Sequence, residues 1–285
     1  MTGDRRAMPP ALRMGLLMTT LVVAASVFGP FVVAHGPQAR DVEQVLAGPS
    51  ADHLLGTDED GYDTLARVLA GGRLALVVGL GTMLLSVGIG VLLGGLAGYF
   101  GGALEQVVNR TTDVLMAFPG ILLALLVLFV TADPGVITVI GALSLTSWAG
   151  HARLVRGLVV TVRGRDHVLA ARCMGAGHLR ILVRYILPEI AGPMGVQATF
   201  AIAGAVLGEA SLSFLGLGPQ GVVSWGGLLE QGAILFIKSP ALVISAGGAL
   251  LLLLAGMNLI GDGLRDHLDP RLEGRRGAAL ERERA

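Results

Sequence analysis

Side chains able to do chemistry are few in this sequence, and they are grouped. One group is the acidic run Asp58, Glu59, Asp60 and Asp63, which could hold a cation or present carboxylates to a partner. Most such runs are solvated surface, and of the functional readings docking is preferred. A second candidate is Glu209, an acidic residue at the end of a long apolar stretch. The usual catalytic sets are missing: there is no His-Glu-x-x-His, no Gly-x-Ser-x-Gly and no paired-carboxylate arrangement. Cys173 is the single cysteine, which excludes an intrachain disulfide framework and a cysteine-based zinc site, and the six histidines contain no His-x-x-x-His pair. Neither a structural metal nor a cofactor is expected. Gly232-Ala-Ile-Leu-Phe-Ile-Lys-Ser239 has the outline of a phosphate loop, but Ile237 occupies the place of the second glycine, so ATP hydrolysis is not expected in this chain.

The elements that position these residues are apolar. Of 285 residues, 53% are hydrophobic and 15% charged, with 43 glycines and a formal net charge of +0, a composition that points to a membrane protein and away from a basic nucleic-acid-binding surface. A bilayer core of about 30 Å takes roughly 20 apolar helical residues. Runs of that length occur at Met14–Ala34, Leu74–Leu104, Val114–Ala132, Pro134–Leu158, Ile190–Gly208 and Ala241–Gly261. One globular domain cannot bury so many long runs. Arg153 and Arg156 enter the end of the fourth run, where long basic side chains snorkel to the interface. The first run is longer than a signal-peptide core of about 7 to 15 residues and lacks a small-x-small cleavage site, so it is read as an uncleaved anchor.

Charge asymmetry sets the orientation. With the amino terminus inside, the cytoplasmic segments hold most of the arginines, including Arg5, Arg6, Arg110, Arg153, Arg172 and Arg184. The outer face keeps Arg40, Arg67, Arg73 and Lys238. Both termini are therefore expected in the cytoplasm, with six spans. The expected division is a cytoplasmic segment 1–13, a first span 14–34, an external acidic segment 35–72, a five-span core 73–264 and a cytoplasmic tail 265–285. Tyr62–Leu69 is read as an interfacial helix, and Asn109 and Asp113 as opening the third span.

Within the core, two connections are too long to be simple links. The cytoplasmic one, 159–187, has apolar residues at helical spacing interrupted by Gly175 and Gly177, which predicts a helix, a turn and a second helix. Such a segment either lies on lipid or docks a protein, and its small residues favour close docking. The external one, 210–240, carries Phe214, Leu215, Leu217 and Trp225 among glycines and reads as a re-entrant gate, the alternative for Trp225 being an interfacial belt. Glu209 either lines a pathway or caps and pairs locally. Gly88, Gly90, Gly94, Gly95 and Gly98 suit close packing within the chain or between subunits.

Ala170-Ala171-Arg172-Cys173-Met174-Gly175 resembles the signature loop of the inner-membrane permeases of bacterial ATP-binding-cassette importers, Glu-Ala-Ala, three residues, then Gly, with Leu169 in the acidic position. The blocks Leu55–Asp63, Gly98–Gly102 with Asp113–Pro119, Glu209–Gly218 with Ser224–Gly226, and Asn258–Pro270 narrow the resemblance to the second permease subunit of dipeptide, oligopeptide and nickel importers. Tyr62 stands in place of an expected arginine. The resemblance implies an all-α type I permease fold with a coupling helix that meets an ATPase subunit through Ala170, Ala171, Arg172, Gly175, Ala176 and Leu179 and ends at Pro188. It further implies a heterodimer with a sister permease, two ATP-binding subunits and an extracytoplasmic solute-binding protein, with lipid around the spans. Glu209, Ser211, Phe214, Leu215 and Trp225 are the expected pathway or gate residues, and Asp58, Asp60 and Asp63 the expected docking face for the binding protein. An ion-coupled carrier would need inverted repeats or charged, broken helices near midplane, and neither is evident.

Overall fold

The structure, a computed structural model, describes residues 8–31, 33, 35–131, 134–237 and 240–268. Arg5, Arg6, Lys238 and the tail from residue 269 lie outside the described residues. Among those described there are no strands, only isolated bridges pairing Arg40 with Tyr62 and Thr57 with Asp63.

Helix α1 (Pro10–Phe28) starts with proline in its first turn, where the missing N–H has no intrahelical role. It buries Leu12, Gly15, Thr19, Val22 and Ser26, one stripe at three- and four-residue spacing. That stripe lies against α10 (Pro240–Leu268), so the first and last helices of the chain pack together. Helix α2 (Thr64–Phe100) is 37 residues long, about 55 Å at 1.5 Å per residue. The expected interfacial helix at Tyr62–Leu69 is instead largely the first turns of α2, because Asp63 accepts a hydrogen bond from Ala66 N at 2.7 Å and caps a helix that continues without a break.

The third apolar run does not make one straight span. Helices α3 (Gly102–Ala117) and α4 (Gly120–Val130) meet at 84°. Phe118 is extended and Pro119 follows it, as the clash between a proline ring and the preceding residue requires. Asn109 and Asp113 accordingly lie inside α3 and do not start a span. Helix α5 (Val136–Arg163) reaches beyond the expected end at Leu158. Its Arg153 and Arg156 pair with Asp113 and Glu105 of α3. Next come α6 (Asp166–Cys173), α7 (His178–Ile181), a π-helical turn at Leu182–Ile186, α8 (Leu187–Phe214) and α9 (Trp225–Ile234).

By length and composition α1, α2, α10 and the continuous helix His178–Phe214 can cross a membrane, and α3 with α4 passes only as a bent pair. Large side chains such as Leu17, Leu84, Ile137 and Leu251 are fully on the outside of the bundle, as a protein solvated by hydrocarbon allows. Inside it, α1, α2, α8, α9 and α10 share one apolar cluster around Trp225, and α2, α5, α6, α7 and α8 share another around Val159 and Ile186.

Candidate coupling surface and outer gate

At one end of the bundle, α6 rests on its own chain through Val168 and Ala171, both fully buried, with Val168 in the cluster that holds Val155, Val159 and Val162. The turn after α6 is a Schellman motif. Ala176 N donates to Ala171 O and Gly175 N to Arg172 O, each at 3.0 Å. Gly175 sits at φ +80°, the left-handed conformation that glycine adopts without penalty. The helix–turn–helix expectation therefore holds, but Ala171 faces its own subunit.

What faces outward is an apolar ridge: Met174 is 78% exposed and Leu179 75%, with Leu169, Ala170, Val183 and Cys173 also exposed beside them. Arg172 lies 5.9 Å above the Tyr99 ring, and Tyr99 Oη and His178 Nδ1 are hydrogen-bonded at 2.9 Å, tying the ridge to the end of α2. Arg163 donates to Gly98 O and Tyr99 O at 2.7 and 3.2 Å, satisfying carbonyls that the end of α2 leaves open. Pro188 does not end the helical segment. Its missing N–H falls just after the π turn, where Leu187 N donates five residues back to Leu182 O, and the chain runs on into α8.

The opposite end of the bundle repeats the same cap. Leu217 N donates to Leu212 O at 2.9 Å and Gly216 N to Ser213 O at 3.0 Å, with Gly216 at φ +78°. Glu209 is 1% exposed and accepts from Ser213 Oγ at 2.6 Å, so it faces the subunit interior. Ser211 donates to Leu207 O at 2.8 Å. Trp225 is equally buried; its Nε1 donates to Val68 O at 2.7 Å, and the indole lies against Gly71 and Gly72 of α2. That bond matters because a buried donor left unpaired costs about 1–3 kcal/mol. Phe214 and Leu215 remain exposed at this end. A cleft of about 250 Å³ opens beside them, lined by Arg67, Ser213, Gln220, Glu230 and Gln231.

The acidic segment is internal in a way its composition does not reveal. Asp58 is buried, pairs with Arg67 and accepts from Asp60 N and Tyr62 N at 3.0 and 2.9 Å. Asp63 caps α2 and bonds His53 Nδ1 at 2.8 Å. Of the expected docking carboxylates, only Asp60 is substantially open, and it pairs with Arg40. Tyr62 stacks with Arg67, whose guanidinium is 5.1 Å from the ring.

Sequence reasoning missed one feature. A groove of about 590 Å³ in the half of the bundle nearer the ridge is lined by Leu154, Pro193, Val196, Gln197, Phe200, Arg265 and Leu268. Gln197, a polar residue inside an apolar run, was the available signal.

The described residues thus form a helical membrane bundle with an exposed apolar ridge at one end and a capped helix end beside a cleft at the other. Residues 90–274 match the family described as binding-protein-dependent transport system inner membrane component, and the chain belongs to that family. It is similar to the dipeptide transport system permease protein of Bacillus subtilis (strain 168), 38% identical over 90% of this chain and 81% of that protein. The di/tripeptide transport system permease protein of Pseudomonas aeruginosa (strain UCBPP-PA14) is also 38% identical, over 91% and 88%. The nickel transport system permease protein of Escherichia coli (strain K12) is 35% identical over 92% and 95%. The chain is thus a multi-pass inner-membrane permease of an ATP-binding-cassette importer, working with ATPase and permease partners and not itself an enzyme.

Proposed function

We propose that this chain is one of two different permease subunits of an importer of dipeptides and oligopeptides. The similarity to peptide-system permeases across nine-tenths of the chain carries this reading of the solute. Two ATP-binding subunits lie beneath, and an extracytoplasmic binding protein delivers solute from above. The chain crosses the membrane six times, α1 being a retained anchor, with both termini in the cytoplasm. The apolar ridge of Met174 and Leu179 seats in an ATPase subunit. The helix that begins at His178 runs unbroken to Phe214, so ATP-driven closure below tilts a single rod whose far end carries Phe214 and Leu215. Those two side chains meet the sister permease as the outer gate, while Glu209, Ser211 and Trp225 hold that end in shape. The inner groove around Gln197 and Phe200 forms this chain's half of the passage.

The solute is tested on the whole complex in vesicles. ATP-dependent accumulation of labelled dipeptide is expected, suppressed by excess unlabelled peptide. Saturable nickel uptake that peptides do not inhibit assigns the chain to the second reading, which the nickel permease's similarity supports.

Orientation has its own test, because Cys173 is unique and exposed on the ridge. A membrane-impermeant maleimide leaves it unlabelled in intact cells and labels it in inverted vesicles stripped of ATPase subunits. Labelling from outside reverses the topology.

A further inference from the structure

We propose that His35 and His53, with Asp63 behind His53, form a binding site for a divalent transition-metal ion of the zinc type in the segment that precedes α2. A ring nitrogen from each histidine and a carboxylate oxygen of Asp63 lie within 4.8 Å of one another. The two imidazole rings lie with centroids 4.6 Å apart and planes tilted by 31°. Asp63 fixes the tautomer of His53: one carboxylate oxygen accepts Ala66 N–H at 2.7 Å, and the other accepts from His53 Nδ1 at 2.8 Å. The proton is therefore on Nδ1, and the lone pair is on Nε2.

That lone pair has no use within the chain. Among the described residues, His53 Nε2 and His35 Nδ1 are both buried without a hydrogen-bond partner, and His53 as a whole is 2% exposed. Buried imidazole acceptors left unsatisfied are costly, and an ion shared between them removes that cost. A carboxylate that orients a histidine whose opposite nitrogen is free is the outer-shell arrangement found behind metal-bound histidines. Donors that share an ion at about 2.1 Å stand at most about 4.2 Å apart, close to the 4.8 Å within which a ring nitrogen of each histidine and the Asp63 oxygen fall. His35 is only half-buried, which leaves an approach for the ion and positions for water ligands. Imidazole donors favour zinc, copper and nickel over magnesium or calcium. The spacing of the residues hid the cluster, since no two of its members fall within one helical turn.

The probe is Zn²⁺ added to the assembled importer after EDTA treatment and desalting, with bound zinc counted after gel filtration. The parent complex is expected to retain one zinc per copy of this chain more than His35→Ala, whose side chain makes no hydrogen bond among the described residues. Asp63→Asn keeps a good helix cap but loses the orienting carboxylate, and its zinc affinity is expected to fall about 10- to 100-fold. Zinc-edge X-ray absorption on the parent should report two imidazole ligands. Sites on other subunits contribute equally to parent and variant, so equal zinc on parent and His35→Ala overturns the proposal. The full chain purified alone in detergent gives the same readout if the complex does not assemble, which separates this site from the transport reading.

Discussion

Gly94→Val is expected to leave almost no folded subunit in the membrane. Helices α2 and α5 share the most extensive interface of any helix pair in the chain. At its centre an added Cβ on Gly94 would sit 2.2 Å from Ala152 O and 2.9 Å from the Cα and carbonyl carbon of the same residue. These are backbone atoms of a helix, which cannot rotate away as a side chain can. Four residues to either side, Gly90 and Gly98 meet His151 Cβ at 2.5 Å and Arg156 O at 2.8 Å, so α5 has no room to slide along the stripe. Separating the helices would also pull Arg163 from the α2 carbonyls it caps. Overpacking at an ordinary site costs about 1–3 kcal/mol. Here the whole interface must part, and the loss is expected to exceed that range. Gly88→Val is the matched control, because nothing lies within 4 Å of a Cβ built there. Subunit abundance in the membrane fraction and the thermal midpoint in detergent decide the matter. Parental values for Gly94→Val would show that the two helices do not pack as described.

Gly175→Trp should give the opposite pattern, a subunit that folds and does not transport. A Cβ at this position meets nothing within 4 Å, so a side chain starts into open space. The internal penalty is the left-handed backbone at φ +80°, about 1–2 kcal/mol for a residue with a side chain. The ring then projects between Met174 and Leu179, from the ridge assigned to the ATPase contact. A misfit there of even 1.4 kcal/mol weakens association about tenfold, so transport is expected to fall by at least that factor. Gly175→Asn, which tolerates the left-handed region, should stay near the parent. Leu169→Ala, which trims a half-exposed side chain, should do far less. Complex assembly, ATP hydrolysis and uptake are measured on all of these variants. Normal assembly and parental transport by Gly175→Trp would remove this turn from the coupling mechanism.

The parts of this fold legible in the sequence are those set by local chemistry. Apolar runs marked α1, α2, α8 and α10, and glycines flanked by helical periodicity marked the turn at Gly175. The bend between α3 and α4 had its signal too, since Pro119 stands inside the run, but hydropathy alone joins the pieces. What could not be read is burial that arises from distant partners. Glu209, Trp225, Asp58 and Asp63 have the composition of a gate and an acidic surface. Their actual surroundings come from Ser213, Val68, Arg67 and His53, and only the folded chain brings these within reach. Exposure at Met174 and Leu179 was likewise invisible, because the same periodicity serves a buried face and an open one.

The π turn at Leu182–Ile186 also sets a phase. A turn closed by a bond to the fifth residue back holds one residue more than an α-helical turn, and one residue corresponds to about 100° of rotation. Leu179 and Phe214, at opposite ends of one rod, are therefore offset in azimuth by an amount that α-helical counting alone does not give. The direction in which the inner end is pushed and the direction in which the outer end swings can then differ, and a single residue gained or lost in that turn would re-aim one relative to the other without altering either surface.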